Sequence, residues 1–194
     1  MDEQVQALAI GPGCGRSGTI AAIVQDLLSG DGGPLVVDAD ALHAMAATRT
    51  QSHHRQVVLT PHPGEFRVLA RAFGTAEAGQ DDRGRRAAAI ELAGATDAVV
   101  VLKGHGTVVA TGEGAWTCPG GGVELAIPGS GDVLTGIMAS VLAQQVAAND
   151  LDLVGAARLA VTLHAGAGVV WREAHGDRGM LAEELADAVP AAAR

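Results

Sequence analysis

The chain has 194 residues, 48% of them hydrophobic and 2% aromatic, with a formal net charge of −9. That is the length of one domain with ample apolar surface for a core, and the acidity argues against nucleic acid as a general partner. The 27 glycines and scarce aromatics favour helices packed closely on a sheet, so an α/β layer fold is the first expectation. Cys14 and Cys118 form no C-x-x-C and no metal-like spacing, so no disulfide framework is expected and a reducing cytoplasm fits. The opening MDEQVQALAIG lacks a basic n-region, so no signal peptide is expected, and the apolar runs read as too short to span a membrane.

In chain order, residues 7–10 read as a short buried strand followed by GPGCGRSG, and 19–28 as a helix ended by GDGGP. Residues 35–37 form a second strand ending in acids, with a helix over 39–47. A third strand at 57–60 is cut off by PHPGE. Helices then follow from Glu65 to Ala72 and, rich in Ala and Arg, from about Arg83 to Ala93. Residues 99–103 are a fourth strand, and 107–111 with 115–118 form a hairpin around GEG. Three helices close the chain, at 132–145, 153–173 and 180–189. Alternating strands and helices predict a mostly parallel sheet covered on both faces, with the hairpin as an antiparallel extension.

The glycine-rich and charged clusters fall at the carboxyl ends of the predicted strands: GPGCG, DAD, PHPGE and KGHG. In open α/β sheets that is the edge where ligands bind. GSGD, residues 129–132, stands before an apolar helix, where unpartnered amides and glycines suit a phosphate. Asp132 would repel a phosphate, so it reads as a base that takes a proton from an attacking hydroxyl. An N-cap is an equally good reading from this stretch alone. KGHGT contains the chain's only lysine, Lys103, and suits a nucleotide phosphate or an adenosine edge; a tight turn with a solvated lysine is the ordinary alternative.

In PHPGE two prolines fix the backbone around His62, either to hold that ring in a pocket or simply as a rigid turn. Glu65 would begin the next helix. The GPGCG loop, with Gly13, suits a phosphate or sugar edge. Asp38 and Asp40 read as strand-end and cap residues rather than metal helpers. His53 and His54 read as a polar loop pair without a metal, and His164 as facing the core or a neighbouring helix.

Taken in order, IGPGCG, VVDADAL, LTPHPGEF, VVLKGHGT and GSGDVLTGIMA resemble the ADP/ATP-dependent NAD(P)H-hydrate dehydratases. The tail LHAGAGVVWREAHGDRGMLAEELADAVP also fits that family. The resemblance implies a ribokinase-like three-layer sandwich with a mostly parallel central sheet, as a single domain over residues 1–194. It implies removal of the water added at C6 of the nicotinamide ring of NADH or NADPH. The hydroxyl is phosphorylated by ADP (or ATP), with AMP and phosphate as the products from ADP. It implies Asp132 as the base, with Gly13, His62 and Asp132 near the hydrated cofactor. It places the nucleotide at Lys103, Gly104, His105, Gly106, Thr107 and Gly131, with Mg2+ bridging the phosphates and no protein ligand assigned to it. A cytoplasmic homo-oligomer is expected, with no membrane or nucleic-acid partner. LTPHPGE separates this family from vitamin-precursor kinases of the same fold. Such a kinase, or a non-catalytic nucleotide-binding remnant, is the alternative.

Two departures from the family pattern stand out. Where the family reads close to NPGxATGGxGD, this chain reads GVELAIPGSGD, and Pro128 lacks an amide hydrogen, so a weaker phosphate cradle is expected. IGPG begins at residue 10, whereas the family domain begins well upstream. The chain is therefore expected to correspond to the C-terminal two-thirds of that domain, with an exposed sheet edge or apolar face open to a partner segment.

Overall fold

The computed structural model describes residues 5–52 and 55–194; His53 and His54, read above as a metal-free pair, lie outside the described residues. Six strands, β1 (Leu8–Ile10), β2 (Leu35–Val37), β3 (Val57–Leu59), β4 (Val99–Leu102), β5 (Val108–Thr111) and β6 (Gly114–Thr117), form one sheet in sequence order. β1 to β4 run parallel, β5 pairs antiparallel with β4, and β6 pairs antiparallel with β5. The helices are α1 (Gly18–Ser29), α2 (Ala39–Thr48), α3 (Pro63–Phe73), α4 (Asp82–Thr96), α5 (Ser130–Ala147), α6 (Leu153–His175) and α7 (Ala182–Ala192).

The period of two along each strand divides the core into two layers. Leu35, Val37, Val57, Leu59, Val100 and Leu102 point into one cluster with residues of α1, α2, α3 and α4. Val36, Val58, Val99, Val101 and Val109 point the other way, into a cluster with α5 and α6. Residues of β2, β3 and β4 are buried on both faces, so their sequences are continuous Leu/Val runs rather than alternating ones. Each fully buried aliphatic side chain contributes about 1.5–3 kcal/mol.

The expected elements all occur in the expected order, with shifted ends. α3 starts at Pro63 rather than Glu65, because His62 caps it and proline occupies the first turn. α5 starts at Ser130, two residues before Asp132, after Gly129 turns into the left-handed region at φ +84. A 3-10 turn at Val123–Leu125 was not foreseen. α6, at 23 residues, is long and apolar enough to cross a membrane by length and composition alone, although arginines and histidines interrupt its apolar runs. Here α6 is a core helix: Ala156, Ala157, Ala160, Val161 and Ala165 join the second core cluster. Ala167 and Trp171 pack with Leu185 of α7.

The fold brings the loops together at the carboxyl edge of the parallel strands. Gly11 follows β1 so closely against β2 that a Cβ there would sit 1.7 Å from the Asp38 carbonyl oxygen. Only glycine fits that approach.

Candidate active site

A cavity of about 580 Å3 opens at this edge, walled by the loop after β4, a strip between residues 118 and 131, and the facing parts of α5 and α6. Its chemistry starts with unsatisfied amides. At the start of α5, Ser130 N donates to the Ile127 carbonyl and Val133 N to that of Gly129. The amides of Gly131 and Asp132, between them, find no backbone acceptor among the described residues. No side chain caps this helix. Two donors and the positive end of the helix dipole are thus left for a ligand. Pro128 precedes these donors, so its missing hydrogen removes neither of them.

The N-cap reading of Asp132 does not hold. The cap is Gly129, and Asp132 is the third helical residue, exposed and lining the cavity. An acid in a first turn is favourable to the helix dipole, yet it performs no capping there.

Opposite, the turn after β4 carries Lys103 to Thr107. Gly104 and Gly106 take φ of +138 and +65. Arg85 of α4 braces the turn from behind, donating through one Nη to the carbonyls of Leu102, Lys103 and Gly106 at 3.2, 3.3 and 3.4 Å. Burial pushes the Arg85 pKa below its ordinary value, with Asp82 opposing the shift. The amides of Gly104, His105 and Gly106 donate to no backbone acceptor among the described residues.

Lys103 is not a solvated lysine. Its Nζ donates to Asp38 Oδ1 at 2.7 Å, and Thr135 of α5 donates its hydroxyl to Asp38 Oδ2 at 2.7 Å. Asp38 is 1% exposed. Lys103 Nζ also lies 3.1 Å from where a Cβ on Gly131 would stand. One buried network therefore ties β2, β4 and α5 together, and a glycine at 131 is what lets the ammonium reach the helix start.

His62 is the N-cap of α3. Its Nδ1 accepts from Gly64 N at 2.9 Å and Glu65 N at 3.3 Å, while the Glu65 carboxylate accepts from His62 N at 2.8 Å. This is a complete capping box. Nε2, 3.4 Å from Glu65 Oε1, carries the proton of the neutral ring. His164 reaches across from α6, with Nε2 3.0 Å from both the hydroxyl and the carbonyl oxygen of Ser130. Burial lowers its pKa below 6.5, the Lys103 charge lowers it further, and the Ser130 carbonyl pulls the other way.

His62, Lys103, Gly104, His105, Gly106, Thr107, Gly131 and Asp132 all line the cavity. Gly13 does not: it sits exposed in the loop after β1, at φ +68. Asp40, read as structural, accepts from Arg16 at 2.7 Å and Gly15 N at 3.1 Å. Its pKa is lowered chiefly by the Arg16 hydrogen bond. Sequence reasoning missed that Asp38 binds the lone lysine, that Ser130 meets His164, and that the strip with Gly120, Gly121 and Leu125 forms a wall. A larger, open hollow of about 830 Å3 at the opposite edge contains none of the motif residues.

The sequence and the fold match a known class. A family model for NAD(P)H-hydrate dehydratase matches residues 1–191, and the chain belongs to that family. It is 35% identical over 192 residues to the ADP-dependent (S)-NAD(P)H-hydrate dehydratase of Bacillus subtilis, covering 98% of this chain and 64% of that protein. It is 41% identical over 183 residues to the bifunctional NAD(P)H-hydrate repair enzyme Nnr of Vibrio cholerae, covering 94% of this chain and 35% of that protein. The chain thus spans about a third of the bifunctional relative. The structure superposes with a TM-score of 0.82 on the ADP/ATP-dependent NAD(P)H-hydrate dehydratase from Bacillus subtilis co-crystallized with ATP/Mg2+, at 35% identity, over 99% of this chain and 65% of that one. A ribokinase-like superfamily protein from Enterococcus faecalis, at TM-score 0.70 and 24% identity, shares the fold.

Proposed function

We propose that this chain carries the ADP-dependent dehydratase chemistry of its family, returning hydrated NADH or NADPH to the reduced cofactor. The observation that carries the reading is the pair of open amide sets, after β4 and at the start of α5, facing one cavity around Lys103 and Asp132. Such donors suit the phosphates of a nucleotide, and Leu125, Val161 and Ala165 give the cavity an apolar wall for a base.

In this reading Asp132 accepts the proton of the C6 hydroxyl. The hydroxyl oxygen then bonds to the β-phosphorus of ADP, and the bond from that phosphorus to the bridging oxygen breaks, so AMP leaves with the electron pair. The amides of Gly131 and Asp132 and the Lys103 ammonium stabilise the charge on the moving phosphoryl group. The C6–O bond then breaks, phosphate leaves with its electron pair, and the C5 proton passes to water as its C–H pair forms the C5=C6 double bond. His62, with Nδ1 committed to its helix, offers only Nε2–H to the hydrated cofactor.

No group of three or more His, Cys, Asp or Glu side chains is placed to hold a metal among the described residues. In this reading Mg2+ would enter on the nucleotide's phosphates. Gly13, outside the cavity, and the outer strand β1 support a cofactor pocket completed on that side by a further segment or a second copy.

Calorimetric titration of the folded protein with ADP, ATP and AMP, each with Mg2+, tests the reading. Heat of binding with ADP or ATP is expected, and turnover of hydrated NADH in the presence of ADP should follow. A folded sample that binds none of the three would overturn it.

A further inference from the structure

The least satisfied group in the described structure is Glu124, in the 3-10 turn at Val123–Leu125. Its side chain is 0% exposed, and neither carboxylate oxygen has a hydrogen-bond partner among the described residues. Among the described residues the one opposite charge at hand is Arg172 of α6, with Nη1 3.7 Å from Oε2 and a side chain 40% exposed. A dry carboxylate persists only where a cation offsets its lost hydration.

Two glycines clear the slot that holds it. A Cβ on Gly122 would lie 2.6 Å from Glu124 Oε2, and one on Gly168 of α6 would meet Leu125 at 2.8 Å and Glu124 Cγ at 3.2 Å. Leu125 and Ile127 pack beside it on the cluster of Ala167, Trp171 and Leu185, but the strip's backbone is sparsely bonded. Cys118 N bonds to the Thr107 carbonyl, but from Pro119 to Pro128 the backbone bonds only within itself and to the start of α5, among the described residues. Three consecutive glycines, 120–122, open it, and Val123 stands 72% exposed at the cavity. Side chains, not backbone, fix this wall.

We infer that Glu124 is a positioning residue: pinned by Arg172 in the slot made by Gly122 and Gly168, it latches the strip 119–128 against α6 and presents a preformed wall to the nucleotide. The inference rests on the reading that an adenine nucleotide occupies the cavity. A latched wall binds more tightly because less order is lost on binding, and a released one should open locally while the core stays closed.

The test is hydrogen exchange of the peptide spanning 119–129 in the ligand-free protein, beside calorimetric titration with ADP and Mg2+. Arg172→Gln strands the carboxylate. Exchange in this peptide should rise about tenfold with α5 and α6 unchanged, and the ADP Kd should rise by a similar factor. Adding Glu124→Gln removes the stranded charge and should bring both readouts back to within about threefold of the original protein, a coupling that independent residues do not show. If Arg172→Gln does not fold, the same peptide must exchange faster in Glu124→Ala. Unchanged exchange in the strip, a uniform rise across the whole chain, or a double variant no better than Arg172→Gln would each overturn the latch. If exchange responds as expected but the original protein binds no nucleotide, the latch stands and the functional reading fails.

Discussion

Helices α3 and α5 begin at the same edge of the sheet and line the same cavity, yet their first turns are finished in opposite ways. In α3, His62 and Glu65 satisfy each other's backbone donors, so the terminus needs nothing from outside. In α5 a left-handed glycine takes the cap position, two amides stay open, and Asp132 is left unused by the helix. A helix start that completes itself is scaffold, whereas one left incomplete beside a cavity is a place for an anion. The contrast separates two loops that both face the cavity: PHPGE closes its own helix start, and GSGD leaves its amides open.

The largest effect should come from removing the tie that holds α5 in place. Lys103→Met leaves the Asp38 carboxylate buried without its cation, and stability should drop by about 3–5 kcal/mol in denaturant unfolding, with ADP affinity lost as well. A drop below about 1 kcal/mol would mean that the Asp38 network does not fix the α5 start. Asp132→Asn comes next. Turnover of hydrated NADH should fall by about 10² or more while melting and ADP binding stay close to those of the original protein, because Gly129, not Asp132, is the cap. Retained turnover would remove the acid from the chemistry.

His62→Ala should behave the other way. It loses the capping box, which costs about 0.5–2 kcal/mol, and it should weaken binding of the hydrated cofactor more than binding of ADP. Equal losses for the two ligands would make His62 purely structural. The smallest effect concerns His164. Its folded pKa is depressed from 6.5, chiefly by burial. The unfolded chain therefore binds its proton first, and the stability tied to the neutral ring is complete above pH 6.5. It declines as pH falls from there toward the folded pKa. Comparing stability against pH in His164→Gln should show a shallower decline over that window; identical curves would exclude the His164 contribution.

Much of this was legible in the sequence because it is local. Buried Val and Leu runs marked β2, β3 and β4, and the loops KGHGT and GSGD announced themselves through glycines at strand and helix ends. The helix starts were less legible. Histidine is an uncommon cap, so the sequence alone starts α3 two residues late, and the left-handed turn at Gly129 that moves Asp132 into the first helical turn depends on backbone angles. What was not legible is pairing over distance: Asp38 with Lys103, Ser130 with His164, Glu124 with Arg172. Each joins residues from different elements, and no spacing rule points to such partners. Gly13 shows the converse, since a glycine loop after a strand reached the right edge without reaching the cavity.

The chain's single lysine is paired with Asp38, so its charge is largely cancelled at long range and amide dipoles, whose pull fades within about one helical turn, are left to draw anions from outside the cavity. Beyond that distance an approaching nucleotide meets a molecule of formal net charge −9. Capture should therefore be slowed at low ionic strength and quickened by added salt, whose screening length is about 10 Å at 0.1 M. That is the reverse of a site that steers its ligand in by long-range attraction. In the proposed reading the cavity meets phosphate only at close range, after diffusion through a repelling field.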